Sequence, residues 1–416
     1  MERIAIIGTG IAGLGCAWNL RERARLTLFE QDGRPGGHTN TVVMDEDGAE
    51  VPIDTGFIVF NRVTYPNLCR LFDELGVATQ PAEMSFSVQH IPDGLEYNGM
   101  GLAKVFAQKR NFFRPRFHRF LGEVGRFFKI ANVSLDDADA SDLSVREFAE
   151  RHGFSTDFLE YYLVPMSAAI WSSQPGETLD FPAAMLIRFF HNHGFLGVKT
   201  HHPWFTVSRG ARSYVRKILE GIADVRLGAA VKCVEEIPSG MRVRTSDGSE
   251  EKFDRVIIAA HADQALRMLG RPDAAQERLL APFRYQFNRA TLHADASVMP
   301  RRRIAWASWN YRIDEHGAAT HYWMNALQGV SKRRDYFVSL NSAIRPDAVL
   351  YETEYEHPIY TLEALCAQAE LASLNRRSPE QRVYFCGSYF RHGFHEDAYW
   401  SALQACEAVR EHLDAR

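Results

Sequence analysis

Apolar residues in this chain come in short unbroken runs, each set beside glycines or a helical pattern. Arg3-Ile4-Ala5-Ile6-Ile7 does not alternate, which predicts a strand buried on both faces. A glycine turn comes next, and Leu14 to Leu20 carry apolar residues at helical spacing. Arg25-Leu26-Thr27-Leu28-Phe29 predicts a second strand. Much later, Val256 to Ala260 and Val383-Tyr384-Phe385 repeat the buried pattern, and Glu396 to Leu413 reads as a helix. Between them, Gly228 to Ile237 and Met241 to Thr245 alternate in polarity. Pro-Ser-Gly and Asp-Gly turns bound them, which predicts a small antiparallel sheet. Buried strands interleaved with helices predict an α/β fold around a parallel sheet.

The turn after the first strand reads Gly8-Thr9-Gly10-Ile11-Ala12-Gly13. In that context the glycines give a tight turn and a bare backbone that pyrophosphate can approach, ahead of a helix N-terminus whose amides face the charge. Glu30 ends the second strand ~20 residues on, where an acid binds ribose hydroxyls, so a dinucleotide with a free 2′-hydroxyl is expected. The run directly after Glu30, Gln31-Asp32-Gly33-Arg34-Pro35-Gly36-Gly37-His38-Thr39, does not suit a nicotinamide site. It resembles the second signature of the flavin amine oxidase, protoporphyrinogen oxidase and phytoene desaturase superfamily. His38 stands where many amine oxidases carry arginine. Gly387-Ser388 and Gly393-Phe394-His395-Glu396-Asp397 resemble that superfamily's C-terminal segment.

The resemblance implies an α/β fold: a Rossmann-like FAD-binding domain of the glutathione-reductase type with an inserted α+β substrate domain. Segments 1–75, 205–270 and 370–416 would form the FAD-binding domain, and 76–204 and 271–369 the substrate or cap domain. It implies FAD contacts from Gly8, Gly10, Ile11, Ala12, Gly13, Glu30, Gln31, Arg34, Gly36, Gly37, His38, Thr39 and Gly56. Val231 would contact adenine through its backbone. Gly387, Ser388, Phe394, His395 and Glu396 would face the flavin, with the helix N-terminus toward the O2 carbonyl. The phrases Asp54-Thr55-Gly56-Phe57 and Ser308-Trp309-Asn310-Tyr311 are similar to those of bacterial flavoproteins found beside cyclopropane-fatty-acid-synthase-like methyltransferases. The implied activity is two-electron oxidation of an apolar substrate, with desaturation of a membrane-lipid acyl chain favoured. An amine or amino-acid oxidase is the alternative, and a non-catalytic FAD-containing scaffold a further one.

Composition narrows this picture. The 416 residues exceed one ordinary core, and a net charge of −4 predicts no general affinity for nucleic acid. The six cysteines are scattered without a Cys-x-x-Cys pair, so reduced thiols and non-covalent FAD are expected. His191, His193, His201 and His202 lack metal-ligand spacings, and no metal is expected. No apolar run reaches the length of a membrane span. Met1-Glu2-Arg3 leads straight into the first strand, and cleaving that apolar stretch as a leader would destroy the nucleotide turn, so the chain reads as cytoplasmic.

Residues 101–130 complicate that localisation. They carry eight cations against one acid, Glu123, interleaved with seven phenylalanines. This predicts either an amphipathic helix packed on the core or peripheral contact with the inner membrane face. Single-stranded nucleic acid would suit the pattern too, but nothing else in the chain supports it. Trp306, Trp309, Tyr322 and Trp323 are candidates for the wall of an apolar substrate pocket, as is Trp400; core packing is the competing reading.

Overall fold

A computed structural model describes residues 1–136, 143–198, 200–315, 317–378 and 380–414. Its organising element is a five-stranded parallel sheet gathered from distant parts of the chain. The strands are β1 (Arg3–Ile7), β2 (Arg25–Phe29), β3 (Val225–Arg226), β4 (Arg255–Ile258) and β5 (Val383–Phe385), in the spatial order β3-β2-β1-β4-β5. Ile4, Ala5 and Ile6 in β1 and Val256, Ile257 and Ile258 in β4 are all fully buried. Unbroken apolar runs therefore sit where helices or other strands cover both faces of the sheet. The small antiparallel sheet forms as expected from Val231–Ile237, Gly240–Thr245 and Glu250–Phe253.

Five helices position the site. They are α1 (Ile11–Leu20), α2 (Pro66–Glu74), α3 (Leu102–Val105), α4 (Pro115–Val133) and α5 (His395–Asp414). Helix α5 lies along α1, with Cys16 Sγ 3.8 Å from the Ala402 carbonyl oxygen. A seven-stranded sheet stands beyond the parallel one. Its order is Val349–Ile359, Arg284–His293, Phe337–Leu340, Gly317–Trp323, Trp309–Asp314, Phe86–His90 and Leu95–Asn98. Both stretches that interrupt the nucleotide-binding segments thus share one sheet, through the parallel pairing of Trp309–Ile313 with Phe86–His90.

The phenylalanines of 101–130 divide. Phe117, Phe120 and Phe127 in α4 are buried in the core. Phe112 and Phe113, in the turn before it, are 58% and 83% exposed. The helical period explains the split: α4 turns its apolar stripe inward, whereas in the turn the inward position is taken by Asn111, which is fully buried. No described helix is long and apolar enough to cross a membrane.

Candidate cofactor and substrate site

One cavity of about 1420 Å³ runs from the C-terminal ends of the parallel strands to the surface beside α3. At its inner end the first glycine turn separates two kinds of glycine. Gly8 adopts φ +98°, and a Cβ there would lie 2.4 Å from the Ala259 carbonyl oxygen; at Gly13 a Cβ would lie 1.9 Å from that of Gly8. The protein's own packing requires both. A Cβ at Gly10 would meet no heavy atom within 4 Å, and its φ of −64° suits any residue. Its bareness serves something in the cavity. Gly37 closes from the other side, a Cβ there lying 3.1 Å from Gly10 Cα, so two bare stretches of backbone flank the N-terminus of α1. The first amides of α1 have no intrahelical acceptor, and that is where an anionic pyrophosphate fits.

Glu30 sits beside this turn, 7% exposed. Its carboxylate accepts from the Thr9 amide and the Asp32 amide, both at 3.0 Å, and from the Thr9 hydroxyl. The acid therefore braces the glycine turn as well as lining the cavity. Glu30→Ala is expected to raise the FAD dissociation constant about 10- to 150-fold, from the ~1.5–3 kcal/mol of hydrogen bonding to a charged acceptor. Titration of the apoprotein by flavin fluorescence measures it, and an unchanged constant refutes it.

The remaining expected contacts fall into three groups. Gly8, Gly10, Ile11, Ala12, Glu30, Gln31, Arg34, Gly37, His38, Gly56, Val231, Gly387, Ser388, Phe394 and His395 all line the cavity. Gly13, Gly36 and Thr39 stand just behind it: Gly36 donates to the Thr9 carbonyl at 3.1 Å, and Thr39 Oγ1 lies 2.9 Å from His395 Nε2. Glu396 departs from expectation. Its carboxylate turns away to accept from the Asn67 amide at 3.2 Å, the Asn67 side chain at 2.6 Å and the Leu68 amide at 2.9 Å. The reason is the start of α2, whose free amides attract an anion; Glu396 ties α5 to α2 rather than touching the cavity.

The wall carries neutral imidazoles. His395 stacks on Phe57 at 3.8 Å with 12° between the rings, and burial pushes its pKa down to about 3. His38 stacks on Tyr355 at 4.8 Å, with His357 at 5.3 Å and His261 at 6.2 Å. Burial, then the neighbouring imidazoles, hold His38 well below the usual histidine range. The chain therefore presents no cation at this position. Tyr355 and His357 escaped the sequence reading; their signal was the alternation of Tyr351, Tyr355 and His357 along one strand.

Further out the cavity becomes an apolar cleft. Trp309 and Tyr322 line it, edge to face at 4.9 Å. Trp306 and Trp323 do not. They pack against each other at 5.4 Å, Trp306 also lies against Phe337, and the Trp323 indole donates to Asp335 at 2.8 Å. Trp323 follows Tyr322 on the same strand, and successive strand residues face opposite sides. Trp400 also lies outside the cleft, under the Arg391 guanidinium at 3.9 Å. The outer cleft is floored by a stripe of α4, Leu121, Val124, Gly125 and Phe128, which sequence reading had not resolved from the other phenylalanines. Two buried indole nitrogens on the wall, Trp204 Nε1 and Trp309 Nε1, have no acceptor in the protein among the described residues. Unpaired donors on a cavity wall fit an occupant that supplies acceptors.

Residues 11–289, more than half the chain, match the family of flavin containing amine oxidoreductases, and the chain belongs to that family. Protoporphyrinogen oxidase 2, chloroplastic/mitochondrial, of Arabidopsis thaliana is 26% identical over 186 residues, covering 42% of this chain and 33% of that relative. The match thus spans about a third of the plant protein. Cyclohexylamine oxidase from Brevibacterium oxydans IH-35A shares the fold with a TM-score of 0.71 at 16% identity, over 99% of both chains. A CLA-producing fatty acid isomerase from P. acnes does so with a TM-score of 0.68 at 13% identity, over 99% of this chain and 98% of that one. The protein is an FAD-dependent oxidoreductase of α/β fold. The bare backbone around Gly10, the acid at Glu30 and the α5 N-terminus are the residues that would hold FAD. None of the six cysteines lines the cavity, in keeping with non-covalent attachment.

Proposed function

We propose that the protein oxidises a long apolar substrate by two electrons, most specifically a fatty acyl chain of a membrane lipid, introducing a double bond. The observation that carries this reading is the cleft that continues the cofactor cavity. Phe86, Leu121, Val124, Phe128, Met166 and Ile170 give it walls without charge. An extended hydrocarbon gains about 0.8 kcal/mol for each methylene such walls remove from water. Desaturation takes a hydride from one carbon and releases a proton from its neighbour to solvent. FAD supplies the two-electron acceptor when bound. The protein's part is to exclude water and to hold the chain: Trp309 and Tyr322 line the cleft, and the neutral imidazoles of His38 and His395 add no charge that apolar carbon would have to face.

Anaerobic mixing tests the reading. Phospholipid dispersed in detergent is expected to bleach the flavin absorbance and yield an acyl chain two hydrogens lighter. Bleaching by simple amines, with phospholipid inert, overturns it in favour of an amine oxidase.

A further inference from the structure

The mouth of the cleft beside α3 carries exposed hydrocarbon. Met100, Leu102 and Val198 line the cavity and are 45%, 79% and 84% exposed; Phe287, on the Arg284–His293 strand, also lines it and is 71% exposed. Met100, Leu102 and Val198 mark the opening beside α3. The opening extends along α4: Phe106, next to α3, meets Phe117 at 5.7 Å, and the Asn132 side chain donates to the Leu196 carbonyl at 3.2 Å. Phe112 and Phe113 adjoin it through Phe106, the ring centroids of Phe106 and Phe112 lying 5.4 Å apart.

Cations surround these side chains, and most are uncompensated. Arg116 is held by Asp157 at 2.7 Å, and Arg126 by Glu123 and two carbonyls. Lys104, Lys109, Arg114, Arg119 and Lys129 have no carboxylate partner among the described residues. An exposed apolar rim ringed by unpaired cations is complementary to one kind of surface, anionic headgroups over hydrocarbon.

We propose that this rim docks on an anionic phospholipid bilayer. Leu102, Phe112, Phe113 and Val198 pass below the headgroups, the cations meet lipid phosphates, and the cleft opens directly into the acyl layer. A chain then reaches Trp309 without crossing water. The docking stands on the rim alone; that the bilayer also supplies the substrate rests on the acyl reading above.

Flavin-loaded protein should co-sediment with vesicles of phosphatidylglycerol and phosphatidylcholine, less so as salt rises, and little with phosphatidylcholine alone. Reversing Lys104, Arg114 and Arg119 to glutamate is expected to weaken capture at least about 100-fold with the flavin retained. Leu102→Ser with Phe113→Ser should weaken it without changing the salt dependence, because neither change alters the charge of the rim. Phe113→Trp should gain fluorescence that lipids brominated on the acyl chain quench. No capture, or capture without such quenching, overturns docking by insertion. Capture without flavin bleaching leaves the docking standing and sinks the acyl reading. Bleaching by detergent-dispersed lipid without capture does the reverse.

Discussion

Gly10→Val protein is expected to purify colourless and folded. A Cβ at Gly10 meets no heavy atom within 4 Å, and the backbone there has a φ of −64° that any residue adopts. The cost to the apoprotein is confined to a poorer N-cap on α1, about 1 kcal/mol. The cost to the cofactor is the loss of the bare surface on which pyrophosphate would rest. Gly13→Val provides the contrast, because its Cβ would sit 1.9 Å from the Gly8 carbonyl oxygen; that variant should lose both flavin and fold. Flavin content after acid precipitation, read beside the circular dichroism of each apoprotein, separates the two. A yellow Gly10→Val protein would show that the dinucleotide does not pass this turn.

Gly125→Phe should leave the flavin in place and close the outer cleft. Glycine inside a 19-residue helix costs about 1 kcal/mol relative to alanine, and here nothing in the protein demands it, since a Cβ would again meet no atom within 4 Å. It lines the cleft between Val124 and Phe128, so its absent side chain widens the passage. A phenyl ring there excludes about four methylenes of a bound chain, forfeiting about 3 kcal/mol, roughly a hundred-fold in kcat/KM for long acyl substrates. Short chains that end before the ring should be spared. Equal losses for short and long chains would move the substrate path away from α4.

The cofactor end of this cavity was legible in the sequence because its chemistry is local. Gly8 to Gly13, Glu30 and the Gly36-Gly37 pair fall on consecutive elements, and a turn that needs bare backbone advertises itself. The substrate end was not, because it depends on which face a residue turns. Tyr322 and Trp323 are neighbours of similar character, yet one lines the cleft and the other packs behind the sheet. Glu396 resembles a cofactor contact from its motif; the free amides at the start of α2, 328 and 329 residues away in sequence, claim its carboxylate instead. Gly125 was visible as a glycine in a helix, but its meaning required knowing that α4 floors a cavity. The edge strand β3 is two residues long and gave no periodic signal.

The scattered origin of the parallel sheet governs how the chain comes to exist. Its central strand β1 pairs with β4, and at the foot of that pairing the Arg3 amide bonds an Asp254 carboxylate 251 positions along the chain. The far edge and α5 come from beyond residue 380. During synthesis the first glycine turn therefore leaves the ribosome long before the strands and the helix that complete it. Contacts of such sequence separation form slowly, because loop closure precedes any reward. Until β4 emerges, the apolar β1 lacks one of its two strand neighbours, the kind of unfinished edge that favours aggregation. A flavin held by the α5 N-terminus would bind only after α5 docks and would then stabilise the finished form by mass action.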